Sequence, residues 1–211
     1  MDAAEADRAC RPTRRGAHQA VARGDVGGAE KKARRERRTL CFVDESGFYL
    51  LPGIVRTYAP IGETPVLKVF QTRDHLSAVS GITPRGQLAT MVRDSPLCGA
   101  QSVRFLRHLR RYVAERLLVI WDGSPIHRGA AVKSFLAQGG SPAIHLEQLP
   151  AYAPELNPDE GVWQHLKHVE MRNLCCTDLE HLRHELNSAT VRLRKQPRLI
   201  QSFFAEAGLD I

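Results

Sequence analysis

Residues 117–121, LLVIW, form a short run that consists entirely of apolar residues. Such a run predicts a central strand that is covered on both faces. The run ends at Asp122, and Gly123 and Pro125 then turn the chain away. We therefore expect Asp122 to lie at the carboxyl end of a buried strand.

Strands and helices are predicted on both sides of this run. Upstream, the stretch LCFVDESGFYLL beginning at Leu40 and the segments VRTYAP, VLKVF, SAVSGIT and QLATMV predict an antiparallel meander. The segment QSVRFLRHLRRYVAER predicts a helix before LLVIW, because Val103, Leu106 and Leu109 share one face. Downstream we expect a short helix around 128–138, the strand AIHLEQL and two further helices. This order predicts an α/β fold, a mixed central sheet flanked by helices.

The N-terminal residues differ from the rest of the chain in charge. Residues 1–38 hold 11 Lys and Arg against 6 Asp and Glu, which accounts for +5 of the net charge of +7. The first 28 residues are poor in large apolar side chains, and AEKKARRERR (29–38) reads as a solvated basic helix. We predict that residues 1–38 form a basic flexible leader and linker helix, followed by one domain over 39–211. The excess charge favours a polyanionic partner.

The composition excludes several classes of protein. No segment approaches the roughly 20 apolar residues that a membrane span needs, and the N-terminus lacks a secretory signal. The five cysteines contain no CxxC pair, which argues against a disulfide framework and a cysteine zinc site. We therefore predict a protein of the reducing cytoplasm with no membrane partner.

Three acidic residues fall at the ends of predicted elements. Asp44 lies in the first strand, Asp122 ends the apolar strand, and Glu160 begins the helix after a proline-rich loop. Carboxylates at strand ends often face a ligand crevice in α/β sheets. Three clustered carboxylates repel one another, and hard divalent cations such as Mg²⁺ relieve that repulsion. Two such ions can support phosphoryl transfer.

Each acid also has a structural interpretation. Asp44 and Asp122 each suit the chemistry of the turn that follows them. Glu160 fits the N3 position of a capping box that starts at Asn157. Spacing alone leaves Glu45 and Asp159 open as alternatives to their neighbours.

Three segments together, FVDESGF, VIWDGSPIH and LPAYAPELNPDEGVWQHLK, resemble the catalytic domain of mariner-like insertion-sequence transposases, a DDE group. The resemblance runs from about residue 30 to about 200. It implies a ribonuclease-H-like fold and places the catalytic, metal-binding acids of the family on Asp44, Asp122 and Glu160. It further implies cut-and-paste DNA transposition with Mg²⁺, for which Mn²⁺ can substitute. The implied partners are double-stranded DNA, as transposon ends and target, and a second copy of the chain in the DNA complex. The resemblance also implies a bacterial protein that is located in the cytoplasm and associated with the nucleoid.

Two substitutions depart from the family pattern. Gly123 stands where the family usually has Asn, and Asp159 stands where it usually has an aliphatic residue. In addition, relatives carry helix-turn-helix modules before the catalytic domain, and only about 38 residues precede the first strand here. We therefore expect either that a separate helix-turn-helix DNA-binding protein is a partner of this chain, or that the chain is a truncated remnant.

Basic residues outside the three acids are candidates for DNA contact. The predicted set comprises Lys31, Lys32, Arg34, Arg35, Arg37, Arg38 and His127. Arg104, Arg107 and Arg111 lie opposite the apolar stripe of their helix, where a solvated face is favoured over phosphate contact. Two other functions remain as alternatives, another ribonuclease-H-like nuclease and a non-catalytic DNA-binding remnant. Retention of all three acids argues against the remnant.

Overall fold

The computed structural model describes residues 26–69, 72–140, 142–149 and 154–209. Its five strands form one sheet in the order β3-β2-β1-β4-β5. The strands are β1 (Thr39–Tyr49), β2 (His75–Ile82), β3 (Leu88–Arg93), β4 (Leu117–Trp121) and β5 (Ile144–Gln148). The β1, β2 and β3 strands pair antiparallel, whereas β1, β4 and β5 run parallel.

The central strands β1 and β4 bury apolar side chains on both faces of the sheet. All five residues of β4 are buried, because helices cover both faces of the sheet there. In β1, Leu40 and Phe42 face one layer of the core, and Cys41 and Val43 face the other. The β1 side chains thus alternate between the two layers, and this alternation determines the direction in which each acid of the strand points.

Helices form a layer on each face of the sheet. Their bounds are residues 26–36 for α1, Gly99–Val113 for α2, Ala130–Phe135 for α3, Asp159–His165 for α4, Leu179–Arg194 for α5 and Pro197–Glu206 for α6. The α4 helix continues through a wider turn, Leu166–Glu170. Buried residues of α1, α4, α5 and α6 pack on one face, and those of α2 and α3 pack on the other.

The predicted meander is only partly correct. The segments SAVSGIT and QLATMV form β2 and β3, and β1 contains the first predicted strand. VRTYAP and the described part of VLKVF are not strands, because this stretch of chain pairs with no strand in the described sheet. Tyr58 and Ile61 are fully exposed there. The prediction of two strands in this loop was therefore wrong.

Two helices differ from expectation. The α6 helix was not predicted; it begins with Pro197 in its first turn and buries Ile200 and Phe203. The α1 helix is not a solvated linker, because Val26 and Ala33 belong to the core. The leader predicted over residues 1–25 lies outside the described residues. In the described chain, no helix is both long enough and apolar enough to cross a membrane.

Candidate active site

The two predicted strand acids lie at the same end of the sheet. Phe42 and Ile120 are the last paired residues of the parallel strands β1 and β4. Asp44 and Asp122 each come two residues later, so the register brings them to neighbouring positions. Asp44 shares its face of β1 with Leu40 and Phe42, the face on which α4 packs.

The α4 helix brings the third acid to this edge. The helix starts where the Asn157 side chain accepts a hydrogen bond from the Asp159 backbone amide at 3.2 Å. The indole of Trp163, one turn further on, donates from Nε1 to Asp44 Oδ2 at 3.0 Å. The Trp163 ring packs edge-on to Phe48 with 5.9 Å between centroids. Trp163 thus fixes the distance between α4, which carries Glu160, and the first strand.

The electrostatics of Asp44 show that the three acids are neighbours. Burial raises the pKa of Asp44 from its usual value near 3.8 to about 7, and the negative charges of Glu160 and Asp122 add to the rise. The Trp163 hydrogen bond opposes it. Because charge–charge effects fall off with distance, the three carboxylates lie in the same region of the sheet edge and act on one another's ionisation.

Asp159 lies beneath this cluster rather than on its surface. Its side chain has no exposed area, and Ser80 on β2 donates to its Oδ1 at 2.6 Å. Burial raises the pKa of Asp159 well above its usual range, and the charge of Asp44 adds to this effect. Asp159 is therefore fully buried in surroundings that favour its protonated form, whereas Glu160 is partly exposed. The placement favours Glu160 over Asp159 as the residue that faces a ligand.

His127 contacts two acids at this edge, Asp122 and Glu45. His127 Nε2 lies 3.1 Å from Asp122 Oδ1 and 3.5 Å from Glu45 Oε1. The imidazole stacks on Trp121 with 4.0 Å between centroids, and its side chain is only 4% exposed. Burial lowers the pKa of His127, against the charge of Asp122. Burial also raises the pKa of Glu45 to about 7, with contributions from Asp122 and Asp44.

The placement of His127 corrects one prediction. A side chain this buried does not reach a DNA phosphate, so the structure does not support His127 as a DNA-contacting residue. Its neighbour is Asp122, which also accepts a hydrogen bond from the Ser124 backbone amide at 3.0 Å. His127 and the turn therefore orient the Asp122 carboxylate.

Lys167 was missed in the sequence and lies beside the acids. Its Nζ donates to Ser46 Oγ at 2.7 Å and lies 5.2 Å from the centroid of the Phe48 ring. Burial lowers the pKa of Lys167, and the charges of Glu160 and Asp44 oppose that change. The seven-residue spacing from Glu160 was the available signal, since residues seven apart share a helix face.

The donor chemistry of the cluster fits a hard cation, although the side chains do not converge on one point. Carboxylate oxygens are the ligands that Mg²⁺ and Mn²⁺ take in proteins. Among the described residues, no three His, Cys, Asp or Glu side chains are already arranged to hold a metal ion. Asp44 and Asp122 instead engage Trp163 and His127. The cluster therefore supplies suitable ligands whose side chains must turn to bind a cation.

The basic residues before β1 are partly used by the fold. Lys32 pairs with Glu147, and Arg34 lies in ion-pair range of Glu30. The Arg38 side chain is 7% exposed and donates to the Leu117 carbonyl at 3.2 Å. The exposed members of the predicted DNA-binding set are Lys31, Arg34, Arg35 and Arg37. Lys32 and Arg38 thus hold α1 and its C-terminus on the sheet.

The sheet is mixed, with one acid in the middle of β1, just beyond its pairing with β4, and another directly after β4. A third acid lies on a helix packed against these strands, and this arrangement defines a domain of the ribonuclease-H-like class. A family model described as DDE superfamily endonuclease matches residues 39–183. The chain therefore belongs to the DDE superfamily endonucleases. The fold class and the family resemblance predicted from the sequence are both confirmed.

Several solved structures share this fold. The catalytic domain of Mos1 mariner transposase matches with a TM-score of 0.51 and 15% identity, over 92% of this chain and 93% of that one. The mariner Mos1 paired end complex with Mg matches with a TM-score of 0.58 and 17% identity, over 85% of this chain and 58% of that one. The Mos1 Strand Transfer Complex matches with a TM-score of 0.54 and 16% identity, over 87% and 60%.

These identities support a shared fold and nothing more. The chain spans about 60% of the length of the Mos1 chain in the strand transfer complex. No curated protein matches the sequence.

Proposed function

We propose that this chain is the catalytic domain of a transposase that cuts and joins DNA strands by metal-dependent phosphoryl transfer. The catalytic residues in this proposal are Asp44, Asp122 and Glu160. The observation that carries it is the position of these acids: Asp44 and Asp122 each come two residues after the last paired residues of β1 and β4, and the Trp163 indole joins the helix of Glu160 to Asp44. The pKa of Asp44, which the charges of both other acids help to raise, supports the same grouping.

The metal in this proposal is Mg²⁺, with Mn²⁺ as a substitute, held by the same three carboxylates. When bound, a pair of such cations supplies Lewis acidity at the attacking and leaving oxygens. Support comes from the oxygen-rich donor set and from the repulsion among the acids, which a cation relieves. The mariner Mos1 paired end complexes have been solved with Mg and with Mn.

The proposed reaction consists of two displacements at phosphorus. In DNA cleavage, a water oxygen attacks phosphorus and the bond to the 3′ oxygen breaks, which frees a 3′-hydroxyl. That hydroxyl then attacks a phosphorus of target DNA in the same kind of in-line displacement, and the bond from that phosphorus to its 3′ oxygen breaks.

The remaining side chains of the site have supporting roles. The Lys167 ammonium lies beside Glu160 and would attract the phosphate. The buried imidazole of His127 and the indole of Trp163 contact Asp122 and Asp44 and restrict the directions in which these carboxylates turn.

The partners follow from the same proposal. They are double-stranded DNA, as transposon ends and target, and a second copy of the chain that pairs the two ends. A separate helix-turn-helix protein would supply sequence recognition, and a cytoplasmic, nucleoid-associated location would follow. Support comes from the Mos1 structures of the same fold, which include a paired-end complex and a strand transfer complex.

The test is nicking of supercoiled DNA by the purified chain with Mg²⁺ or Mn²⁺. Glu160→Gln is the decisive variant, because it removes one charge and keeps the size of the side chain. Glu180→Gln is its matched control, since Glu180 is an exposed acid in the first turn of a different helix, α5. We expect Glu160→Gln to lose at least about 100-fold in rate, as an essential electrostatic group does. Glu180→Gln should keep the rate of the unmodified chain.

Thermal unfolding with added Mn²⁺ tests the metal independently of DNA. Binding to the folded state raises the melting temperature. The shift should appear in the unmodified chain and the Glu180→Gln control, and should shrink in Glu160→Gln. Equal nicking by Glu160→Gln and the unmodified chain would remove Glu160 from the mechanism. Absence of a Mn²⁺ shift in the unmodified chain would refute the three-acid metal site.

A further inference from the structure

A basic cavity lies between the C-terminal halves of α2 and α3. It is lined by Arg107, Arg110, Arg111, Phe135 and residues 138–140, and it has a volume of about 440 Å³. We refer to it as the arginine pocket. The three arginines are exposed, and the guanidinium of Arg107 lies 5.5 Å from the centroid of the Phe135 ring. The pocket therefore presents cations on a partly apolar floor.

The positive charge of the arginine pocket is not compensated by the fold. Neither α2 nor α3 contains an Asp or a Glu residue. Arg107, Arg110 and Arg111 make no ion pair within the described residues, whereas the nearby acid Glu115 is already paired with Arg85. Positions three and four apart on a helix are neighbours, so like charges there repel one another. An anion in the pocket would relieve this repulsion.

The neighbourhood of the pocket is also electropositive. Burial lowers the pKa of His108, and the charges of Arg111 and Arg194 lower it further. Arg104 and Lys133 add two exposed cations on the same two helices. The field over this surface therefore favours an extended polyanion rather than a single small anion.

The arginine pocket is separate from the acid cluster. The last residue of α2 lies four residues before β4, so the pocket is at the end of the sheet where β4 begins. Asp122 lies at the other end of that strand. Five residues of β4 span about 17 Å at the usual rise of a strand. One bound phosphate therefore cannot contact both sites.

We propose that the arginine pocket binds the phosphate backbone of duplex DNA as a second site, distant from the acid cluster. Arginine is suited to this role because its planar guanidinium makes paired hydrogen bonds to phosphate oxygens. Contacts of this type hold and orient a duplex without reading its sequence. This proposal depends on the proposed function in one respect only, the choice of DNA as the ligand.

The experiment measures affinity and its salt dependence for a fluorescent 24-base-pair duplex in EDTA, where cleavage does not occur. The test variant is R107Q/R110Q/R111Q. The matched control is R73Q/K195Q/R198Q, which removes the same three charges from exposed positions without ion pairs in the described chain. Circular dichroism confirms that both variants are folded.

We expect the pocket variant to bind at least tenfold more weakly at low salt. The slope of log K against log salt should fall by two to three, at about 0.9 for each phosphate that the variant no longer neutralises. The control should change the slope by less than about one. Equal losses in both variants would show that net charge alone is responsible and would overturn the proposal. So would a failure of the unmodified chain to bind the duplex.

A separate readout distinguishes this proposal from the proposed function. Nicking at saturating DNA should stay within about twofold in the pocket variant, because the acids are intact. If the unmodified chain binds DNA through the arginine pocket but does not nick it with Mg²⁺ or Mn²⁺, the proposed function fails and the pocket stands. If the pocket variant binds the duplex as tightly as the unmodified chain does, the proposal for the arginine pocket is overturned and the proposed function is unaffected.

Discussion

Replacement of Asp44 with Asn should stabilise the metal-free protein and abolish its activity. Asn keeps the size of the side chain and an oxygen that accepts the Trp163 hydrogen bond. It removes the buried negative charge, which destabilises the folded state. The folded chain keeps the Asp44 proton up to a pH of about 7. The unfolded chain releases it near pH 4. The contribution of Asp44 to the free energy of unfolding therefore falls as pH rises from about 4 to about 7.

The magnitude follows from the size of the pKa change. The pKa of Asp44 rises from 3.8 to about 7, a difference of about three units. At about 1.36 kcal/mol for each unit, Asp44→Asn should gain up to about 4 kcal/mol at pH 8. At pH 5 only about one unit separates the pH from the unfolded-state pKa, so the gain should be about 1.5 kcal/mol.

Urea denaturation in EDTA at both pH values measures this difference. The midpoint should rise strongly in Asp44→Asn at pH 8 and weakly at pH 5, with an unchanged slope. Added Mg²⁺ should narrow the gap at pH 8, because only the unmodified chain gains stability from the cation. A variant less stable than the unmodified chain at pH 8, or one with equal gains at both pH values, would refute the reasoning.

Two further substitutions test the packing of α4. Gly161→Ala places a Cβ atom 2.7 Å from Phe203 Cγ, so the free energy of unfolding should fall by about 1–3 kcal/mol. Gly27→Ala is the control, because no described atom lies within 4 Å of its new Cβ. In urea denaturation it should raise the free energy of unfolding by about 0.5–1 kcal/mol. If both variants lost the same free energy of unfolding, the clash with Phe203 would be contradicted. Trp163→Phe removes the indole donor to Asp44 while keeping an aromatic ring, so nicking should fall about tenfold. Its pH–rate profile should move to higher pH, because the indole hydrogen bond lowers the pKa of Asp44; an unchanged profile would exclude this role.

Much of the fold could be predicted because its core segments are locally consistent. The run LLVIW is buried along its whole length, and Val103, Leu106 and Leu109 form the buried face of α2. The loop after β1 was predicted wrongly because its apolar residues have the composition of strands. Composition does not supply a pairing partner, and Tyr58 and Ile61 stay exposed. Strand pairing is a tertiary property that propensity does not contain.

The candidate site was predictable to the level of elements, not of contacts. Turn residues predict where β4 ends and where α4 begins, but spacing left Glu45 and Asp159 open as alternatives. The resemblance to the DDE group named Asp44, Asp122 and Glu160. The contacts of Lys167 and the burial of His127 depend on how α4 and the turn after β4 pack against β1. The sequence contains only a seven-residue spacing for Lys167, which many surface lysines share.

The consecutive acids Asp159 and Glu160 show why adjacent positions can differ in function. Successive helical residues point about 100° apart, so the start of α4 cannot direct both carboxylates to the same place. Asp159 points into the sheet, where Ser80 donates a hydrogen bond to it and burial raises its pKa. Glu160 is left at the edge with Asp44, and its charge raises the pKa of that residue. Because the Asp159 carboxyl is fully buried against Ser80, the departure from the family pattern at position 159 does not supply a competing ligand.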